Sequence, residues 1–221
     1  MITNETVKKY GLNAGASVVG IAASDDFGSA PEGFKPSDNL EGCRSVIVLG
    51  APFPHEALTA MSIPEYTELR NAILARMTSI AKEVEKRIKK DGYKAKAISA
   101  TGGKFIEGKH YGYISLKHAA ELSGLGLINR NYLLTNPEYG NLLWFSAVLT
   151  DAELVPDKKA PYSICDNCNK CVEICPSGAL DNPALFGNKK CDKFYKIVDK
   201  KLEIQCFLCR KVCPYRFGKN V

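Results

Sequence analysis

The sequence predicts a chain of mixed α+β class in two parts, a conventional domain over residues 1–157 and a small cysteine-organised module over 158–221. Three observations carry this expectation. Eight of the nine cysteines fall in the last 57 residues. Ahead of them, short apolar runs suited to strands alternate with segments of helical period. A length of 221 residues leaves room for one medium domain beside a small one.

Along the front domain, Asn4 to Ala14 reads as a short helix and Val18–Ala23 as a buried strand. Gly and Pro accumulate through Phe27–Gly42, which reads as a loop, and Ser45–Gly50 is a second apolar strand broken by Ala51-Pro52-Phe53-Pro54. Pro64 opens a long helix whose apolar positions Leu69, Ile73, Met77, Ile80, Val84 and Ile88 make one core-facing stripe, and Gly92 ends it. Tyr93–Ser99 is the third strand. The stretch from Ser99 to Tyr113 holds four glycines, two lysines, a histidine and two tyrosines, and reads as a loop whose backbone approaches a ligand closely. It is no phosphate-binding Walker loop, because position 98 is Ile where Gly is required and Phe105 replaces Ser/Thr. Ser115 is placed to cap a short helix that ends at Ser123, where Gly124-Leu125-Gly126 stops it. Tyr132–Thr135, the turn Asn136–Gly140 and Leu142–Thr150 together read as a hairpin.

The cysteines fall in two runs, Cys165-x2-Cys168-x2-Cys171-x3-Cys175-Pro176 and Cys191 followed by Cys206-x2-Cys209-x3-Cys213-Pro214. A cubane of iron and sulfide needs four thiolates, of which a tight loop can supply three. In two-cluster ferredoxins the cysteine before proline ligates the other cluster. On that rule one [4Fe–4S] cluster takes Cys165, Cys168, Cys171 and Cys213, and the second takes Cys191, Cys206, Cys209 and Cys175. Two tetrahedral zinc sites are the rival reading, since Cys-x2-Cys pairs suit zinc as well. Disulfides are disfavoured because the N-terminal segment is polar and amphipathic rather than a secretory signal. The module has few large apolar residues, so the clusters are expected to serve as its core.

Charge and hydropathy exclude other classes. No apolar stretch is long enough to span a bilayer, so no membrane role and a cytoplasmic location are expected. The formal charge is +6, and from Ala160 onward eleven Lys/Arg face six Asp/Glu. Eight ligating thiolates and two oxidised cubane cores would together bring about −4 and leave the holo-protein near +2, so basicity is weak evidence for nucleic acid.

Several stretches resemble epoxyqueuosine reductase and, more distantly, the reductive dehalogenases. They are Lys117–Asn131, then Asn136-Pro137-Glu138-Tyr139-Gly140, then Leu149–Leu154, with Val18–Ala22, Ser45–Leu49 and the order of the cysteine runs including the isolated Cys191. The resemblance implies a nitroreductase-like α/β front domain of the cobalamin-binding type, followed by a two-cluster bacterial ferredoxin-like domain. Electrons would pass through two [4Fe–4S] clusters to a corrinoid for reduction of an unknown substrate. The alternative is a non-catalytic electron carrier, or a relative using FMN, that serves a partner enzyme.

The family's catalytic aspartate falls, by alignment back from Gly124, on His110, and no Asp lies between Gly92 and Thr150. His110 is therefore the candidate proton donor. Gly102, Gly103, Gly124 and Gly126 would let backbone approach the macrocycle, and Lys109, Tyr111, Arg130 and Asn131 are the other candidate cofactor contacts. The family's Gly-Lys-Asn reads Asn129-Arg130-Asn131 here, and the chain stops soon after Cys213-Pro214 where the tRNA-modifying enzymes continue. Both departures weigh against tRNA as a partner. A low-potential ferredoxin- or flavodoxin-type donor and a small-molecule or corrinoid substrate are the partners implied. His118, on the helix beside Ala119 and Ala120, is expected to be packed or partly buried, and Cys43 to be a buried small residue.

Overall fold

The computed structural model describes residues 1–59, 62–106, 109–160, 165, 168–181, 191, 194–198 and 201–218, with backbone alone at 105, 109, 110, 195, 197, 198 and 201–204. The architecture is mixed α/β, in two compact units that are not contiguous in sequence. The first comprises Met1–Pro52, Ile73–Gly126 and Trp144–Ala160. The second comprises Phe53–Ala72, Leu127–Leu143 and Pro161–Val221, so it draws on two stretches that the linear division at 157/158 assigns to the front domain.

The first unit is built on a four-stranded sheet of order β1-β2-β8-β3, with β1 Val18–Ala23, β2 Ser45–Pro52, β3 Ala95–Ile98 and β8 Leu143–Thr150. β1 runs antiparallel to β2, with Val18 opposite Gly50, and β3 antiparallel to β8, with Ala95 opposite Thr150. The two central strands are buried along nearly their whole length, which is why β2 reads as a continuous apolar run rather than an alternating one. Helix α1 (Asn4–Asn13) lies against β1. Its Lys8 pairs with Asp157 at 2.6 Å, and the same carboxylate accepts from the Ile21 amide at 2.9 Å, pinning the 150s segment to β1. After the single-turn helices α2 (Pro36–Asn39) and α3 (Glu56–Thr59), the long helix α4, Ile63–Lys90, buries Ile73, Met77, Ile80, Val84 and Ile88. Leu74 and Ala81 widen that stripe to the breadth usual for a core-facing helix, while Leu69 is only half-buried. No helix among the described residues is long and apolar enough to cross a membrane.

Two expectations are corrected. The segment from Ser99 to Tyr113 is not a plain loop: β4 (Gly103–Ile106) and β5 (Lys109–Gly112) form an antiparallel hairpin, with Ile106 opposite Lys109 and a two-residue connection between them. The segment 132–150 is not a hairpin either. β7 (Leu134–Thr135) pairs with β6 (Leu127–Ile128), while β8 leaves for the centre of the four-stranded sheet. The turn between them closes on itself: Asn136 and Gly140 exchange backbone hydrogen bonds, and Asn136 Oδ1 accepts from the amides of Glu138 and Tyr139. A strand as fully buried as β8 gains more between two neighbours than at the edge of a two-stranded ribbon.

The second unit does not depend on its cysteine segment for apolar mass. Phe53, Ala57, Leu58 and Tyr66 are buried from the first stretch, Leu134 and Leu142 from the second, and Ala179 and Leu180 from the third. Tyr66 stacks on Phe207, centroids 4.0 Å apart and rings within 4°, and Phe53 meets Tyr66 edge-on at 5.2 Å. His55 stacks on Phe217 at 4.6 Å. Gly140 adopts φ 55°, and a Cβ there would stand 2.2 Å from the Arg216 carbonyl oxygen. Only glycine lets the 136–140 turn lie so close to the backbone after Cys213.

Candidate functional site

Within the second unit the cysteines are presented by short elements. Cys171 lies in α6 (Lys170–Glu173), and Cys209 in α7 (Leu208–Lys211), which packs against α6. Cys165, Cys168, Cys171 and Cys213 line one small cavity together with Asn129, Asn131 and Tyr215. Three come from one tight run, where the Cys168 amide donates to the Cys165 carbonyl at 3.4 Å, and the fourth from the far end of the chain. Burial pushes the Cys171 thiol up, and charge on Cys165, Cys213 and Cys168 adds to it. Burial likewise raises Cys213, with Cys165 and Cys168 contributing. Thiols that are buried and mutually repelling favour a positively charged metal core in their midst.

A second group forms around Cys209. Its thiol is pushed up to about 12 by burial, with Arg210 opposing and Cys191, Cys206 and Cys171 reinforcing. The distance in sequence between Cys191 and Cys206 is closed by an antiparallel hairpin, β9 (Tyr195–Val198) and β10 (Lys201–Ile204). At its base Gln205 donates to Phe194 at 2.7 Å, and Phe194 to the Cys191 carbonyl at 3.0 Å. Cys175 has a different setting. Burial pushes its thiol up, but hydrogen bonds from Ser177, Leu180 and Ala179 bring the net below the ordinary value. Among the described residues no three His, Cys, Asp or Glu side chains converge on a single metal ion. Cubane ligands do not need to, since each thiolate binds its own iron.

Asn131, proposed from sequence as a cofactor contact, is 4% exposed and lines the cysteine cavity. Its amide donates to the Cys209 carbonyl at 3.3 Å and its oxygen accepts from the Leu133 amide. Arg130 beside it is exposed. Sequence reasoning missed Asn129 and Asn141. The second is buried, donates to the Arg210 carbonyl at 3.2 Å and counters the rise of the Cys213 thiol, and the Asn136–Gly140 turn just before it was its only sequence signal.

In the first unit, His110 and Lys109 lie on β5, opposite Phe105 and Ile106, and their side chains fall outside the described residues. Tyr111 is 41% exposed and lines a cavity of about 600 Å³ together with His118. His118 is exposed rather than packed, and the Ser115 hydroxyl, expected to cap α5 (Leu116–Leu122), instead meets His118 Nδ1 at 2.6 Å. Two of the four glycines expected to open backbone to a macrocycle are filled in. A Cβ on Gly124 would stand 2.3 Å from the Lys158 carbonyl oxygen, and one on Gly102 would meet Ser99 and Tyr113 at 3.0 and 3.2 Å. Gly103 opens β4, and Gly126, at φ 156°, follows the turn after α5. Within the first unit, the backbone at Gly102 and Gly124 is therefore already covered by the chain itself.

No family model matches the chain. Its curated relatives include the epoxyqueuosine reductase of Bacillus subtilis, 31% identical over 121 residues that cover 49% of this chain and 31% of that one. The epoxyqueuosine reductase of Lactococcus garvieae is 26% identical over 212 residues, 86% of this chain and 56% of that one. The chain thus spans between about a third and a little over half of these relatives. Its fold is shared with epoxyqueuosine reductase from Streptococcus thermophilus (TM-score 0.69, 19% identity, 99% of this chain and 67% of that one). It is shared also with an epoxyqueuosine reductase solved with an epoxyqueuosine-modified tRNA-Tyr stem loop (TM-score 0.67, 18% identity, 98% and 66%). A third neighbour is a reductive dehalogenase whose structure suggests a mechanism for B12-dependent dehalogenation (TM-score 0.61, 23% identity, 79% and 25%). The tRNA-bound neighbour corrects the expectation against tRNA: a protein of this fold engages a tRNA stem loop, so the fold itself does not argue against that partner.

Proposed function

Because the chain is a relative of the epoxyqueuosine reductases and shares their fold with a reductive dehalogenase, we propose that it is an iron–sulfur oxidoreductase with two [4Fe–4S] clusters. Cys165, Cys168, Cys171 and Cys213 would hold the first, and Cys191, Cys206, Cys209 and Cys175 the second. The observation that carries this reading is the gathering of the first four cysteines on one cavity, although Cys213 belongs to the other run. Bound there, each cluster supplies a one-electron carrier whose potential the protein tunes. The chain's own part is to keep the ligands dry and fixed: Cys171 is 7% exposed, Asn131 holds the Cys209 carbonyl, and the Tyr66–Phe207 stack stands beside the second group.

A low-potential ferredoxin- or flavodoxin-type donor would feed the clusters. The acceptor in the front unit is a corrinoid on the strength of the B12-dependent neighbour, and the substrate is a small molecule, a corrinoid or a tRNA base. His110 is the proton donor of this reading. A second reading, electron carriage with no corrinoid, is favoured by one observation, the close cover over the backbone at Gly102 and Gly124 in the first unit. Anaerobic cobalamin titration of the iron-loaded full chain, followed by absorbance and EPR, separates the two. Saturable binding with cobalt reduced through the clusters supports the corrinoid reductase. Intact clusters without binding leave the carrier, and stoichiometric zinc without acid-labile sulfide sinks the cluster reading altogether.

A further inference from the structure

The cavity of about 600 Å³ in the first unit is put to no use by the cysteine chemistry, and its size is that of a small-molecule site. One wall is aromatic and already formed. Phe34 is met edge-on by Tyr111 at 6.0 Å, and Lys104 places its ammonium 5.3 Å from the same ring while donating to the Gly33 carbonyl. Lys104 and Tyr111 sit directly opposite each other across β4 and β5, so the hairpin holds Phe34 from two neighbouring points. Phe27, Ile114 and Leu122 extend the apolar lining.

Beside the hydroxyls of Ser29, Ser115 and Tyr111 and the His118 ring, the lining carries acidic groups. Asp26 and Glu121 bring carboxylates, and no Lys or Arg is among the described lining residues. The Ser115–His118 contact engages Nδ1 and so leaves Nε2 of the same ring as the atom available to a ligand. Aromatic faces and carboxylates both attract a cation, and both repel an anion.

We propose that this cavity binds a small aromatic ligand carrying a protonated amine. The ring lies against Phe34 and Tyr111, and the ammonium is directed to Asp26. This site requires neither a cluster nor a corrinoid, so its test is independent of the redox reading.

The test is isothermal titration of the full chain with three probes that share one ring: tryptamine, indole and indole-3-acetate. Tryptamine is expected to bind saturably at one site and at least about tenfold more tightly than indole-3-acetate, with indole between them. Asp26→Asn should bring the three probes together, and Ala30→Trp, which fills the cavity, should abolish binding. Ser29→Trp, at an exposed position of the same wall, replaces Ala30→Trp should that variant not fold. Absence of saturable heat from all three probes overturns the proposal. So does indole-3-acetate binding as tightly as tryptamine, or cavity-filled protein titrating like the parent.

Discussion

Asn141 and Arg210 each donate a side-chain hydrogen bond to the other's backbone carbonyl, the Asn141 amide at 3.2 Å and the Arg210 guanidinium in return. Both are buried, and each also bears on a cysteine thiol: Asn141 lowers Cys213 against the effect of burial, and the charge of Arg210 lowers Cys209. The pair therefore touches one member of each proposed ligand set.

A fixed positive charge beside a cluster stabilises its reduced, more negative form. Arg210→Met should lower the potential of the second cluster by about 60 mV, a tenfold change in a one-electron equilibrium. EPR-monitored redox titration reads this. Leaving the Asn141 carbonyl unsatisfied should cost about 1–3 kcal/mol, so iron content is measured alongside to separate a shifted potential from a lost cluster.

The crossing of ligands between runs has a sharper consequence. Cys165→Ser with Cys213→Ser should remove no more iron than either change alone, about half the total, if both serve the one cluster proposed for them. Cys165→Ser with Cys175→Ser should remove nearly all of it. Iron and sulfide analysis after anaerobic reconstitution decides, and the opposite pattern would assign Cys175 to the first cluster.

Cys43 lies away from this chemistry. It is 9% exposed, its thiol faces the Ser45 carbonyl at 3.5 Å, and burial raises it above the ordinary 9.0. The folded state therefore favours the neutral thiol. That contribution is fully present below the unfolded thiol's value and is lost as pH rises through the folded one. Compared with Cys43→Ala, the parent should lose up to ~1.4 kcal/mol per pH unit in that window. Urea midpoints of the two proteins between pH 7 and pH 10 supply the comparison.

Gly124→Ala should destabilise the first unit by about 2–4 kcal/mol, since its backbone is left-handed, φ 75°, and the new methyl would meet the Lys158 carbonyl. A melting temperature lowered by several degrees is expected. An unchanged melting curve would show that the Lys158 segment moves aside at little cost.

Much of the first unit is legible in the sequence because its signals are local. β1, β2 and the stripe of α4 follow from apolar runs and helical period alone. What period cannot tell is which neighbour a strand chooses. Leu142–Thr150 reads as a hairpin partner across the nearest turn, yet the near-complete burial of β8 is satisfied only between two strands brought from elsewhere in the chain. The same blindness hid the apolar half of the cysteine unit. Phe53 and Tyr66 carry no cysteine signal, and only the contacts with Phe207 and its neighbours show where they belong. In the front cavity the glycines drew attention, but the lining is made by Phe27, Phe34 and His118, from segments read as loop, as loop and as packed helix.

The scattered make-up of the second unit imposes a timetable on its synthesis. Its residues come from 53–72, 127–143 and 161 onward, so Tyr66 must wait for Phe207 and the Asn136–Gly140 turn for Arg216 before either is covered. The front sheet can close once Thr150 has left the ribosome, whereas the cysteine cavity is incomplete until Cys213 emerges. Assembly of the proposed metal site thereby waits for Cys213, and a chain interrupted before that point presents Phe53 and Tyr66 without the Phe207 stack to the cell's quality control.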